Sequence, residues 1–315
     1  MELKEDILDI TNPFLNKKRE RYTFLPYSVV GSISMLLYFV NVIIMFPFFF
    51  VLGILKFIIP LKFWREACKY VIDTLGTAWI SVNNLNLKIT KNIHREVTGL
   101  EGLRMDEWYL VISNHQSWSD ILVLQKVFNR EIPFLKFFLK KELIWVPLMG
   151  IAWWALDFPF MKRYSKEYLK KHPDKKGKDI EITKNACAKF KHIPVSIMNF
   201  VEGTRFTEGK HDRQKSPFTN LLRPKAGGIS FVLSSIGSQM HRILDVTISY
   251  PKGLETFWGF IAGRVPAVKV HIQEHPIEHW MFGDYEANEG YRNNFQEWLN
   301  QLWIEKDIRL KAMSM

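Results

Sequence analysis

Cysteine is scarce in this chain. Cys68 and Cys187 are the only two, they lie far apart, and they match no metal or redox spacing. A disulfide-stapled secreted scaffold is thereby excluded, and a reducing compartment is the default. Gly-x-Ser-x-Gly is absent, so Ser117 and Ser119 have no nucleophile-elbow context. Gly-x-Gly-x-x-Gly is absent too, and no cofactor is indicated. The stretch from Gly203 to Lys210 approaches a phosphate-binding loop, but five residues separate Gly203 from Gly209, one too many. His211 then stands where such a loop needs Ser or Thr for magnesium. His271, His275 and His279 have the spacing of one helix face, yet Pro276 would break that helix and the run before it reads as a strand, so no metal site is assigned. Internal repeats and low-complexity tracts are also missing.

Positive charge and apolar residues, by contrast, are plentiful. Among 315 residues, 43 Lys+Arg face 32 Asp+Glu, a net charge of +11, which suits an acidic partner: nucleic acid, anionic lipid or a phosphorylated substrate. No zinc-finger, helix-turn-helix or RNP-type pattern accompanies the charge, so nucleic acid ranks last. The charge is local. Between Lys162 and Lys191 eleven Lys+Arg stand against four Asp+Glu, a stretch readable as a solvated helical face, an anionic-lipid contact or a dock for an acidic carrier.

From Val29 to Leu55 there are 27 residues without a charge, more than the roughly 20 that cross a bilayer as a helix. The run is too long for a secretory signal and ends in basic sequence, so it reads as a retained membrane anchor. Lys17, Lys18, Arg19 and Arg21 precede it, and Lys56, Lys62, Arg65 and Lys69 follow it. With both flanks basic, charge bias assigns no orientation to a single span. A bent arrangement with both ends on the cytoplasmic face, Pro47 at the bend, and a plain span both remain open.

Beyond the anchor, β-branched or aromatic runs alternate with longer helical patterns, the signature of an α/β domain. Strands are expected at Leu85–Thr90, Trp108–Ser113, Ser196–Val201, Leu244–Ser249 and Pro266–Ile272. Helices are expected near Phe63–Val82, Ser117–Phe128, Leu148–Ala155, Ile180–Phe190, Ala226–Ile236 and Asn288–Trp303. The organisation is therefore a basic N-terminal segment 1–28, an anchor 29–60 and a folded domain 61–315 with a basic insert 162–191.

Three clusters carry candidate chemistry. The first, Asn114-His115-Gln116-Ser117-Trp118-Ser119-Asp120, follows the apolar run Tyr109–Ile112. Ser117 and Asp120 read as a capping box, with Ser117 starting the helix. On a continuous helix His115 and Asp120 would point apart. With the helix starting at Ser117, His115 sits in the preceding turn and can fold back onto the Asp120 carboxylate, leaving the other ring nitrogen free as a general base. The second cluster, Phe200-Val201-Glu202-Gly203-Thr204-Arg205, also ends an apolar strand. Gly203 permits close backbone approach and Arg205 can hold a phosphate through two parallel hydrogen bonds. An ordinary turn with a solvated arginine is the alternative. The third runs from Trp153-Trp154-Ala155-Leu156-Asp157 to Phe160-Met161-Lys162-Arg163, and alone reads as core followed by surface.

Taken together, the clusters resemble the glycerolipid acyltransferases, specifically the PlsC-type 1-acyl-sn-glycerol-3-phosphate (lysophosphatidate) acyltransferases, over roughly Leu85 to Tyr250. The resemblance implies an α/β acyltransferase domain with a mixed sheet, His115 as base and Asp120 as its orienting partner. Phe160–Arg163 is similar to the family's Phe-x-x-Arg motif, implying Arg163 in glycerophosphate binding. Phe200–Arg205 is similar to Phe-Pro-Glu-Gly-Thr-Arg, implying Glu202, Gly203, Thr204 and Arg205 in the acceptor site. Lys140, in Lys140-Lys141-Glu142-Leu143, and Lys225, in Lys225-Ala226-Gly227-Gly228, resemble less specific family segments. Two departures stand out: Val201 replaces a proline of the third motif, and Ile243-Leu244-Asp245-Val246 stands where a fourth would carry proline among apolar residues. The whole pattern looks most like the longer YihG-like bacterial enzymes and shares features with lysocardiolipin acyltransferases. It implies a bacterial inner membrane, with the domain on the cytoplasmic face. Implied partners are a lysophospholipid acceptor, an acyl-CoA or acyl carrier protein donor, and anionic membrane lipid. Alternatives are acylation of another head group, thioester hydrolysis by water, or a non-catalytic lipid-docked scaffold.

Overall fold

The computed structural model describes residues 25–90, 93–161, 190, 193–253, 256–285 and 287–314. Arg163, the basic insert apart from Phe190, and the expected helix Ile180–Phe190 up to that residue lie outside the described residues. So do the first 24 residues of the N-terminal segment.

The apolar run forms one helix, α1 (Tyr27–Ile58), which continues helically through Pro47. The chain turns instead at Ile59-Pro60-Leu61, where a proline costs no helical hydrogen bond. It returns antiparallel as α2 (Lys62–Thr90). Asn41 Nδ2 donates to the Trp79 carbonyl at 3.0 Å and to Asn83 Oδ1 at 2.8 Å, while Asn86 Nδ2 donates to the Ser34 carbonyl at 3.0 Å. Amides buried in an otherwise apolar interface need such partners, and these pairs fix the hairpin's register.

The hairpin corrects one expectation. Leu85–Thr90 is the last turn of α2, not a strand. Leu85, Leu87 and Ile89 alternate like a strand, but Trp79, Ile80, Asn83, Asn86 and Leu87 are buried at helical spacing against α1 and the domain. The first strand is β1 (His94–Thr98), whose largely exposed sequence HREVT offers no apolar signal.

The domain then runs β2 (Tyr109–Ser113), α3 (Ser119–Phe128), β3 (Leu135–Phe137), β4 (Leu139–Lys140), a 3-10 turn (Lys141–Trp145), α4 (Met149–Ala155) and β5 (Phe160–Met161). After the insert come β6 (Ser196–Phe200), α5 (Glu208–Gln214), α6 (Gly227–Ile236), β7 (Arg242–Ser249), α7 (Phe257–Ile261), β8 (Ala267–Pro276) and α8 (Glu289–Met313). Six strands form a mixed sheet in the order β1-β8-β7-β2-β6-β3. The strands β7, β2, β6 and β3 run parallel, and β8 is antiparallel to β7. A smaller pair joins β4 to β5.

Alternation along β2 divides the core between the two faces. Tyr109 and Val111 pack with Phe49 of α1, Trp79 of α2 and Leu124 of α3, whereas Leu110 and Ile112 pack with Ile229 of α6 and Leu299 and Trp303 of α8. The hairpin covers the first face and holds it firmly. The Trp258 indole of α7 lies over Gly31, and Ala155 and Trp154 of α4 lie over Gly53. Lys56 of α1, buried, pairs with Asp157 at 2.9 Å, and Lys136 of β3 pairs with Asp73 of α2 at 2.9 Å. Outward, α1 presents Leu36, Phe39, Ile44, Phe48 and Val51, all exposed. Among the described residues it is the one helix long and apolar enough to cross a membrane.

Candidate active site

Register sets the site. Ser113, the last residue of β2, lies opposite Phe200 of β6 and Val246 of β7, so the turns after β2 and β6 emerge side by side at the carboxyl ends of parallel strands. Ligands of α/β sheets collect at this edge. Asn114 secures it, its side chain pairing with the backbone of Ile248 through two hydrogen bonds of 2.9 Å, one given and one accepted.

The next residue is His115, whose Nδ1 lies 2.9 Å from Asp120 Oδ2. The capping geometry differs from the expected box, since α3 starts at Ser119 and the Ser117 hydroxyl accepts from the Ser119 amide. Asp120 reaches backwards, Oδ2 accepting the backbone N–H groups of Gln116 at 2.7 Å and Ser117 at 2.8 Å. Its other oxygen, Oδ1, accepts from the Tyr250 hydroxyl at 2.6 Å. The carboxylate is fully buried, and four donors converge on it. A carboxylate so placed holds the imidazole with its proton on Nδ1, leaving Nε2 as the basic nitrogen. The Phe200 ring stacks on the imidazole, centroids 3.9 Å apart and nearly parallel, and so fixes the ring plane.

Glu202 is also fully buried and reaches the site only from behind, Oε1 accepting the backbone N–H of His115 at 3.3 Å. Its Oε2 has no hydrogen-bond partner among the described residues, and burial pushes its carboxyl up to about 8. Tyr250 is raised well above its ordinary value by burial and by the Asp120 charge, so it remains a donor. Gly203 sits at φ +73°, the left-handed conformation that a turn needs and that only glycine adopts freely. Thr204 accepts from Lys210 Nζ at 2.9 Å, and the same ammonium binds the Arg205 carbonyl at 2.9 Å. The loop is thus clamped, and the exposed Arg205 guanidinium lies over the Trp118 ring, 4.8 Å from its centroid. The Phe206 amide donates to the His115 carbonyl at 2.7 Å, tying the two loops together.

The remaining expected residues are less central. Lys225 is exposed, and its backbone amide binds the Val201 carbonyl at 2.8 Å, placing it beside the Glu202 turn. Lys140, exposed at the end of β4, pairs with Met161 across the small sheet, two residues before Arg163. Among the described residues no cluster of His, Cys, Asp and Glu could hold a metal ion. Tyr250 and Phe200 as partners of the dyad were not legible in the sequence, because both contacts form only across strand ends. Trp118, next to the motif, carried a weaker signal in its type alone.

Comparison with known proteins bears on this arrangement. The family model Acyltransferase matches residues 94–250. The chain is 24% identical over 246 residues to the 2-acyl-1-lysophosphatidylinositol acyltransferase of Saccharomyces cerevisiae, covering 64% of this chain and 60% of that protein. It is 25% identical over 214 residues to the 1-acyl-sn-glycerol-3-phosphate acyltransferase gamma of Mus musculus, covering 64% and 52%. It is 25% identical over 303 residues to the 1-acyl-sn-glycerol-3-phosphate acyltransferase 3 of Arabidopsis thaliana, covering 91% and 73%. The chain therefore spans between half and three-fifths of the first two relatives. The crystal structure of the 1-acyl-sn-glycerophosphate (LPA) acyltransferase PlsC from Thermotoga maritima aligns with a TM-score of 0.47 at 19% identity, over 89% of this chain and 98% of that one. The match of the Acyltransferase family model over about half of the chain carries the identification: the chain belongs to the acyltransferase family.

Proposed function

We propose that the protein transfers a fatty acyl group from an acyl thioester, on CoA or acyl carrier protein, to the sn-2 hydroxyl of lysophosphatidic acid, giving phosphatidic acid. One observation carries the reading: the His115–Asp120 pair, its carboxylate held by three further donors, stands at the strand ends beside the exposed cation Arg205. His115 Nε2 takes the acceptor's hydroxyl proton as that oxygen attacks the thioester carbonyl. The C–S bond breaks, and the thiolate receives the proton from the imidazolium. A positioned base contributes about 10²–10⁴-fold. Orientation supplies a further part, with Arg205, and Arg163 as its proposed partner, holding the phosphate. Thr204, Lys140 and Lys225 line the acceptor side in this reading, and Glu202 acts through the His115 amide.

The hairpin brings the site to its substrates. Gly31 and Gly53, both against the domain, are about 33 Å apart along α1 at 1.5 Å per residue, close to the roughly 30 Å hydrocarbon thickness of a bilayer. A helix pinned to one domain at both points cannot stand across the membrane while the domain stays in water. This supports α1 and α2 lying in one leaflet, with both flanks and the domain on one face, proposed as the cytoplasmic face of a bacterial inner membrane. The basic insert 162–191 is assigned to the anionic headgroups of that face.

A second acceptor is favoured by the name of the yeast relative, which acts on lysophosphatidylinositol. The test is purified full-length protein with oleoyl-CoA or oleoyl-acyl carrier protein and a panel of lysophospholipids, the products read by mass spectrometry. Phosphatidic acid formed fastest supports the first reading, a faster phosphatidylinositol product the second. No acylated product from any acceptor would overturn both.

A further inference from the structure

An aromatic patch lies at the turn of the hairpin and extends past it. Phe57 and Phe63, 70% and 81% exposed, flank the turn, and Trp145 at the end of the 3-10 segment Lys141–Trp145 is 84% exposed. Tryptophan is rarely left this open on a water-facing surface, and contiguous exposed apolar side chains mark a contact. The two parts are linked through α4, on which both pack. The Phe57 ring packs edge-on against Trp154 of α4 at 6.1 Å, and Gly150 of α4 backs directly onto the Ile144 carbonyl, where any Cβ would collide at 1.9 Å. Leu148, at φ +62°, closes a tight turn between this segment and α4, with the Met149 amide donating to the Pro147 carbonyl at 2.7 Å.

Two features select the occupant. Phe57 and Ile58, exposed at the end of α1, lie on the same helix as its exposed apolar residues Phe48, Phe50 and Val51. The chain segments that carry it hold the exposed cations Lys62, Arg65, Lys140 and Lys141 and the carboxylates Glu66 and Glu142, Lys62 lying 3.9 Å from Glu66. Basic residues bordering an apolar aromatic surface complement anionic headgroups over acyl chains, and tryptophan favours that boundary. The segment follows closely in the chain on β3, whose Phe137 ring lies 6.2 Å from Phe200, the residue stacked on His115.

We infer that the Lys141–Trp145 turn is a second membrane-insertion element, with Trp145 seated at the headgroup–acyl boundary of an anionic bilayer, setting the depth of the active-site mouth. The inference rests on the reading that α1 and α2 lie on the membrane, and the test separates the two. In full-length protein lacking Cys68 and Cys187, an environment-sensitive fluorophore is attached in turn at Trp145→Cys, at Leu36→Cys on α1, and at Glu305→Cys on the opposite face of the sheet. Each protein is mixed with phosphatidylcholine–phosphatidylglycerol vesicles carrying brominated chains. Blue-shifted, quenched emission at 145 and 36, with none at 305, is the expected result. A lipid signal at 36 alone overturns the insertion element and leaves the hairpin reading intact. A signal at neither position overturns both, and one at all three indicates non-specific adsorption and overturns the element. In parallel, Trp145→Ser should bind such vesicles about tenfold more weakly, the effect of keeping one large apolar side chain out of lipid. It should raise the apparent constant for vesicle-borne acceptor while kcat on a short-chain, monodisperse acceptor stays unchanged. Loss of kcat on the soluble acceptor would show Trp145 acting in the site instead.

Discussion

Replacing Glu202 by glutamine should make the protein less sensitive to alkali without disabling it. The carboxyl has no solvent contact, its Oε1 accepts from the His115 amide and its Oε2 meets no hydrogen-bond donor among the described residues. Desolvation is the main reason its titration is pushed from 4.5 up to about 8; the Asp120 charge adds to the rise, and backbone donors and the Lys306 charge oppose it. A carboxyl whose folded value is raised binds more protons folded than unfolded across that interval. Its contribution to stability is therefore fully present below about 4.5 and is lost progressively as the pH climbs through 8. At about 1.36 kcal/mol per unit, the shift corresponds to an upper figure of about 5 kcal/mol. For a chain of this size that is on the order of 10 °C in Tm.

Glu202→Gln keeps the shape and the carbonyl acceptor for His115 but cannot ionise. Thermal unfolding of the detergent-solubilised protein, followed from about pH 5 to about pH 8.5, should show the parent losing stability over this range more steeply than the variant. Near neutral pH, where the native carboxyl is mostly protonated, acyl transfer by Glu202→Gln should stay within about threefold of the parent, less than the effect of losing one hydrogen bond. Its acceptor constant should not move. Parallel pH slopes for the two proteins would refute the buried, proton-bearing assignment. A large rise in the acceptor constant would show instead that Glu202 touches substrate.

Other substitutions probe the groups in front of it. His115→Ala should leave a folded protein with acyl transfer lowered at least about 100-fold, and Asp120→Asn should lose activity through the tautomer it can no longer impose; either variant at the parent rate would cancel the base assignment. Tyr250→Phe deprives the buried Asp120 of one charge-assisted hydrogen bond and should cost about 1–3 kcal/mol of stability, with kcat reduced and substrate constants little changed; an unaltered melting curve and rate would mean the 2.6 Å contact is not formed. Arg205→Lys keeps the charge but removes the planar fork that lies on Trp118. It should raise the acceptor constant and spare thioester dependence, and an equal effect on both substrates would end the phosphate-clamp role.

The dyad was legible because its geometry is local. His115 and Asp120 are five positions apart, and a helix start between them is enough to turn one onto the other, even though the start falls at Ser119 and the carboxylate caps backwards. Strands β2, β6 and β7 were legible because each is buried along nearly its whole length and is dominated by apolar and β-branched residues, Asn199 and Asp245 being the interruptions. Where burial is one-sided or the partner distant, the pattern misled. Leu85–Thr90 alternates like a strand, but Asn83 and Asn86 find their hydrogen-bond partners on α1, roughly forty to fifty positions earlier, and that pairing decides for helix. His94–Thr98 carries no apolar stripe because it lies at the sheet edge, its backbone pairing with β8 doing what side-chain burial does elsewhere.

The departure at the fourth motif has a physical counterpart in the C-terminal helix. Asp245 occupies the middle of β7, a central strand flanked by β2 and β8, where its backbone takes part in both ladders. A proline there would surrender a ladder hydrogen bond. Aspartate keeps the ladder but places a carboxylate in the core, on the face covered by α8, where an unpaired charge would be strongly destabilising. Lys306 of α8, itself fully buried, meets it at 2.6 Å, and Arg309 approaches the other oxygen at 3.5 Å. The lysine also donates to the Val246 carbonyl, one residue along the strand whose far end supplies Tyr250 to Asp120. Burial depresses the Lys306 ammonium and Asp245 opposes that shift, while the lysine's charge in turn opposes the upward push on the Glu202 carboxyl. Asp245 and Lys306 are therefore interpretable only as a pair. Because the pair lies between β7 and α8, the C-terminal helix is joined electrostatically to the floor beneath His115, whose amide rests on Glu202.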